Sequence, residues 1–289
     1  MMSDSTLDEA RAVITAAFPD LSGAVFTLMT AGWHSTAVDV DDRLIFKFPR
    51  HAAAQAALVK EAGLLAVIRP AVTMPVPDLT LHDGPPVFSR HGKLRGDHLT
   101  SVHYDRLPEA ARRQLADRLA RFYAEIHGLD PRLLVAAGAA PVEAWLGPDE
   151  ILRKALPALP PDLQAYARRT VAAWQDLPPD PFGQTYGFFD GHGWNMAFDH
   201  TRNQLTGIYD FADSGFGPLH QDFIYSNFIA PDLTERIIGG YEALTGRAID
   251  RRRVDLLTGA HRLWELAELA DDSAHAPAMI RSVADWAGR

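Results

Sequence analysis

Asp190, Asn195 and Asp210 are the residues whose types and spacing point most directly to chemistry. They lie in Phe189-Asp190-Gly191-His192-Gly193-Trp194-Asn195 and in Ile208-Tyr209-Asp210-Phe211. An aspartate, four residues, then an asparagine, with a second aspartate fifteen positions later (210 − 195), supplies one base and two oxygen ligands for a divalent cation. That is most of what a protein contributes to phosphoryl transfer. In this reading Asp190 accepts or orients the proton of a substrate hydroxyl. Asn195 and Asp210 offer the hard oxygen donors that magnesium prefers. Gly191 and Gly193 allow the tight backbone turns that the loop needs. The spacing D-x-x-x-x-N recurs by chance, so the weight falls on a predicted hairpin that would bring Asn195 and Asp210 together.

A second group lies far upstream. Lys47 interrupts the apolar run Leu44-Ile45-Phe46-Lys47-Phe48, and a buried ammonium needs a partner. Glu61, fourteen residues on and within a predicted helix, is the natural carboxylate; nucleotide phosphates would be the other partner. An edge-strand lysine that blocks aggregation is the plainer alternative. Gly32-Trp33-His34-Ser35-Thr36 is a loop whose amides and Ser35 hydroxyl could cover phosphates, or an ordinary hairpin turn. No G-x-x-x-x-G-K-[ST] occurs, which argues against a P-loop enzyme. Asp213 reads as a supporting group or a solvated loop residue. Asp222, at the head of an apolar helical run, reads as an N-cap. Glu265, Glu268 and Asp272 share one face of a predicted helix beside Trp264. That face would suit a cationic substrate or simply be solvated. The twelve histidines show no zinc-site spacing.

The elements that must position these residues follow from periodicity. Residues 6–18 read as an amphipathic helix, and 24–29, 37–40 and 44–48 as strands. A helix over 53–68 ends at a Pro-rich stretch, and short strands follow near 79–81 and 87–88. From about 105 to 128 a long amphipathic helix is predicted, then two helices within 141–176. A hairpin joins 196–198 to 205–209, and 218–288 is mostly helical. This order predicts an α+β, two-lobed architecture: a small antiparallel-sheet lobe over residues 1–91, a connector at about 88–96, and a larger helical lobe over 92–289.

Composition narrows the classes. The chain has 289 residues, 47% of them hydrophobic, and so can bury a substantial core. Its formal charge of −9 argues against a nucleic-acid partner. With no cysteine, disulfides and thiol chemistry are excluded. No signal-peptide pattern or bilayer-length apolar segment is seen, giving the expectation of a cytoplasmic protein without a membrane partner. Monomer and homodimer are both open.

Taken together, these residues resemble the aminoglycoside phosphotransferase family, a branch of the protein-kinase-like fold that also holds choline, homoserine and methylthioribose kinases and macrolide phosphotransferases. The resemblance runs from about residue 20 to 270. It rests on Lys47, the helix with Glu61, the 190–195 loop, Ile208-Tyr209-Asp210-Phe211 and Asp222. It implies that Asp190 is the catalytic aspartate, that Asn195 and Asp210 bind Mg2+, and that Lys47 with Glu61 holds the α- and β-phosphates of ATP or GTP. It also implies that Asp222 braces the catalytic loop and that Phe88, Ser89 and His91 lie in the adenine-contacting hinge. The implied activity is transfer of the γ-phosphoryl group to a small hydroxyl-bearing substrate, aminoglycoside-like or metabolic. The chain departs from the family pattern H-G-D-x-x-x-x-N: Phe188 and Phe189 stand where histidine and glycine are usual, and Gly217-Pro218-Leu219 replaces the usual G-D-P. A nucleotide-binding regulatory module is the alternative that this departure raises. A protein-directed kinase is disfavoured, because no A-P-E-like segment or long activation loop follows Asp210.

Overall fold

The computed structural model describes residues 4–29 and 35–289. Helix α1 (Asp4–Ala17) precedes strands β1 (Phe26–Met29), β2 (Ser35–Val40) and β3 (Leu44–Pro49). Helix α2 (Ala52–Ile68), β4 (Thr80–His82) and β5 (Phe88–Gly92) follow. Next come α3 (Ser101–Asp105), α4 (Glu109–His127), α5 (Pro131–Ala136), α6 (Pro148–Ala155) and α7 (Pro161–Gln175). Strands β6 (Gln184–Gly187), β7 (Met196–Asp199), β8 (Gln204–Ile208) and β9 (Gly215–Pro218) lead to α8 (Leu219–Asp222), α9 (Pro231–Thr245), α10 (Arg251–Leu269) and α11 (Ala276–Ala287). The chain divides into two compact units. One comprises Met1–Leu99, Glu125–Ala140 and Trp194–Ser214; the other comprises Thr100–Ala124, Pro141–Gly193 and Gly215–Arg289.

The first unit is built on a five-stranded sheet in the order β1-β2-β3-β5-β4, antiparallel throughout. Asp41 and Asp42 both take positive φ (56° and 53°) at the β2–β3 turn, where two left-handed residues match the twist of a hairpin. Alternation along β3 sorts its side chains. Phe46 packs with Ile14, Val38, Val40 and Phe88 in the core shared with α1, while Lys47 turns to the other face and meets Glu61 of α2. Helix α2 is apolar nearly all round, with Leu58, Leu64, Leu65 and Ile68 buried beside Glu61. The hairpin β7–β8 belongs to the same unit, pairing Met196 with Ile208.

The second unit is mainly helical. Ile151, Leu159, Val171, Leu263, Leu266 and Val283 draw α6, α7, α10 and α11 around one core. It also holds a two-stranded antiparallel pair, β6 with β9, which periodicity did not predict. Strand β9 reads Gly-Phe-Gly-Pro, and three of its four residues are of types depleted in strands. Its Gly217 is required by packing, since a Cβ there would meet the Phe189 ring at 2.6 Å.

Two predicted placements change. Asp222 is the last residue of the single-turn α8, not an N-cap; its carboxylate is turned to the backbone of 188–189 instead. Helix α10 ends at Leu269, so Asp272 does not share a helical face with Glu265 and Glu268. It lies in the turn before α11 and bonds His275 at 2.7 Å.

Candidate active site

In the first unit Lys47 is the centre. Its Nζ lies 3.2 Å from Asp210 Oδ1 and 3.6 Å from Glu61 Oε2, and its side chain is 17% exposed. Burial alone would lower the ammonium's pKa, but Glu61 and Asp210 outweigh it and the net shift is upward. Lys47 is therefore a fixed cation. Burial pushes the Glu61 carboxyl up, opposed by Lys47 and by the Phe211 amide, which donates to Glu61 Oε1 at 3.1 Å. That bond also anchors the segment bearing Asp210, which sits at φ 67°, a left-handed conformation that aspartate tolerates better than most residues. The Asp210 side chain is 47% exposed and so can reach a ligand.

Asn195 lies at the other end of the β7–β8 hairpin. Its carbonyl accepts from the Tyr209 amide at 3.0 Å, so the hairpin brings the segments bearing Asn195 and Asp210 together. Tyr209 Oη donates to the Trp194 carbonyl at 2.9 Å and pins the loop exit. Burial, then the charge of Asp210, push that phenol up to about 12.

The predicted nucleotide contacts divide by face. Ser89 pairs with Lys47 across the ladder and His91 with Ile45, so both share the Lys47 face. Both are buried, and Ser89 Oγ has no hydrogen-bond partner. His91 Nδ1 donates to the Gly92 carbonyl at 2.9 Å, and burial lowers the ring's pKa and keeps it neutral. Phe88 points to the opposite face, stacked on His82 at 4.6 Å, so its side chain is core. Ser35 opens β2 opposite Pro49. The loop residues Gly32 to His34 lie outside the described residues. Asp213 sits exposed in the turn after Phe211.

In the second unit Asp190 follows Phe188 and Phe189. Asp222, fully buried, accepts from the Phe188 amide at 2.9 Å and from the Phe189 amide at 2.5 Å. These bonds hold Phe189 at φ 54°, strained for an aromatic residue. The Phe188 ring is fully buried and meets Phe122 edge-on at 5.9 Å, so packing supports the loop where histidine is usual. A Cβ on Gly191 would strike the Tyr123 hydroxyl, so glycine is the residue that fits. Sequence reasoning missed His192. Its Nε2 lies 2.9 Å from Asp190 Oδ1. Burial lowers its pKa, but the Asp190 bond and charge outweigh that and the net shift is upward. The only sequence signal was a histidine two positions after the candidate base. Glu265 lies 3.5 Å from His261 Nδ1, and Glu268 is exposed on α10.

A model of the phosphotransferase enzyme family matches residues 25–257. The chain belongs to the phosphotransferase enzyme family. The solved structures similar to this phosphotransferase agree in fold. The GDP complex of wild-type aminoglycoside 2'-phosphotransferase-IIIa superposes with a TM-score of 0.82 at 21% identity, covering 98% of each chain. A GDP and kanamycin complex of APH(2")-IIIa gives 0.79 at 21% identity over 96% of this chain and 98% of that one. The macrolide 2'-phosphotransferase MphH from Brachybacterium faecium gives 0.70 at 17%, over 96% and 98%. The fold is thus the α+β kinase-like one that these proteins share. No curated protein sequence matches the chain. Among the described residues, no helix of this phosphotransferase is long and apolar enough to cross a membrane.

Proposed function

We propose that this phosphotransferase moves the γ-phosphoryl group of ATP or GTP to a hydroxyl of a small molecule. The observation that carries the reading is Lys47, a partly buried cation held by Glu61 and Asp210 with some of its surface open to solvent. Such a cation neutralises phosphate oxygens without a change of its own protonation. Ser89 and His91 add polar atoms to the same face for the nucleotide. Asp190 takes the hydroxyl proton as the acceptor oxygen bonds the γ-phosphorus and the bond to the β–γ bridging oxygen breaks. His192 and Asp222 hold Asp190 and its loop in place. That the relatives include complexes with GDP and with kanamycin supports the reading by analogy of fold.

Magnesium fits the donors present. Asp210 offers a half-exposed carboxylate and Asn195 an amide oxygen, both hard ligands on one hairpin. Among the described residues no cluster of three or more His, Cys, Asp or Glu side chains is arranged for a metal, so Asn195 and Asp210 would hold the ion only together with phosphate oxygens and water. When bound, it supplies Lewis-acid neutralisation of the phosphates.

The test is nucleotide-dependent phosphorylation across aminoglycosides, macrolides, amino alcohols and sugars. Asp190→Ala should abolish turnover and leave nucleotide binding intact. A wild-type protein that neither binds nucleotide in a thermal-shift assay nor phosphorylates any of these alcohols would sink the proposal.

A further inference from the structure

Resting on the reading of Asp190 as the base, we propose that the acceptor carries a single ammonium on an apolar or ring scaffold and is seated on the aromatic surface around His261 and Glu265. Every observation behind it lies within the helical unit. His261 is 3% exposed and ringed by aromatics: Trp264 at 5.0 Å, Trp145 at 5.2 Å, Tyr225 at 5.3 Å and Phe228 at 5.4 Å between ring centroids. Trp145 also stacks on Trp264, at 6.2 Å and 19°. Trp145, Phe228 and Trp264 keep part of their surface in solvent, as does Glu265, whose side chain is 29% exposed.

Two buried imidazole nitrogens point to a ligand. His261 Nδ1 has Glu265 as its ion-pair neighbour at 3.5 Å but makes no well-formed hydrogen bond. His192 Nδ1 also lacks one, while His192 Nε2 holds Asp190 at 2.9 Å. Buried polar atoms are rarely left unbonded. The charge of Glu265 reaches His192, which links the aromatic surface to the candidate base.

Charge then selects the acceptor class. Glu265 is the carboxylate beside the rings, and Arg262, whose guanidinium lies over Phe228 at 4.6 Å, already offsets part of it. Glu268 is exposed one turn on, and Asp272 is engaged by His275. Of these carboxylates only Glu265 pairs with His261, while Glu268 lies one turn away and Asp190 is engaged by His192, so a molecule with three or four ammonium groups would meet fewer matched charges at the rings than it carries. One ammonium is matched by Glu265 and by aromatic faces, which attract cations.

Titration followed by tryptophan emission tests this, because Trp145 and Trp264 border the surface. The probes are 2-(benzylmethylamino)ethanol, a ring-bearing alcohol whose protonated amine is a monocation with one N–H donor, and kanamycin, a polycation. The monocation should bind with a Kd about tenfold below that of kanamycin. Glu265→Gln and, separately, Trp264→Leu should each weaken it by about fivefold. Kanamycin binding as tightly or more tightly, or no change of emission with the monocation up to roughly 10 mM, overturns the proposal. The comparison of the two probes on the wild-type protein stands even if a variant fails to fold. Binding needs no turnover, so failure of the phosphoryl-transfer reading appears separately, as loss of nucleotide-dependent activity. A lower KM for kanamycin than for the monocation would overturn the acceptor class while upholding phosphoryl transfer.

Discussion

Lys47 shows how one side chain joins stability to the proposed chemistry. Its ammonium is the partner of a carboxylate that is only 3% exposed. Lys47→Met leaves Glu61 buried without its cation. We expect a loss of about 3–5 kcal/mol in denaturant unfolding, the usual penalty for breaking a buried pair. Lys47→Met/Glu61→Leu should recover part of it, because the stranded charge is then gone. His192 makes a pH-dependent contribution. Its pKa is raised above the ordinary 6.5 by Asp190 in spite of burial. A raised histidine stabilises fully below its unfolded value and loses that contribution as pH rises through the folded one. His192→Gln should therefore lower the unfolding temperature more at pH 5.5 than at pH 9. Equal shifts at both would refute the linkage.

Single elements place the candidate reactive groups. Helix α8 has one turn, yet its last residue determines the backbone ahead of Asp190, through the two bonds from the Phe188 and Phe189 amides. Asp222→Ala strands both buried donors and should cost about 3 kcal/mol in unfolding free energy, since each unsatisfied group costs roughly 1–3 kcal/mol. It should also slow turnover more than it raises the nucleotide KM, because the loop and not the Lys47 face is disturbed. The β7–β8 hairpin does the same work for Asn195 and Asp210, and its apolar alternation and polar turn were legible in the sequence. The β6–β9 pair was not. Two glycines and a proline hide β9, whose pairing comes from packing against Phe189 and from the bond that its Phe216 carbonyl accepts from the Val142 amide at 2.9 Å.

For the molecule as a whole, ligand linkage is the accessible readout. A nucleotide that binds only the folded chain at about 100 times its Kd adds roughly 2.7 kcal/mol to stability. We expect ATP or GTP to raise the unfolding temperature, and magnesium to enlarge that rise. Asp210→Asn should remove the magnesium increment. An unchanged increment would take Asp210 out of the ligand set.

Hydrophobic periodicity and short-range spacing predicted α2, the strands of the five-stranded sheet and the hairpin after Asn195, because those signals repeat within a few residues. The pairing of Lys47 with Glu61 was inferable too, from the strain of a lysine in an apolar strand. What needed the folded chain was the choice of partners across long separations. Lys47 meets Asp210 across 163 positions, and Asp222 meets the 188–189 amides across 34 and 33. The contact of His192 with Asp190 is short in sequence yet was equally hidden. It depends on which rotamers the surrounding packing allows, and no local pattern encodes that. The same holds for the rings about His261, brought from residues 145, 225, 228 and 264 onto one histidine by the packing of the helical core.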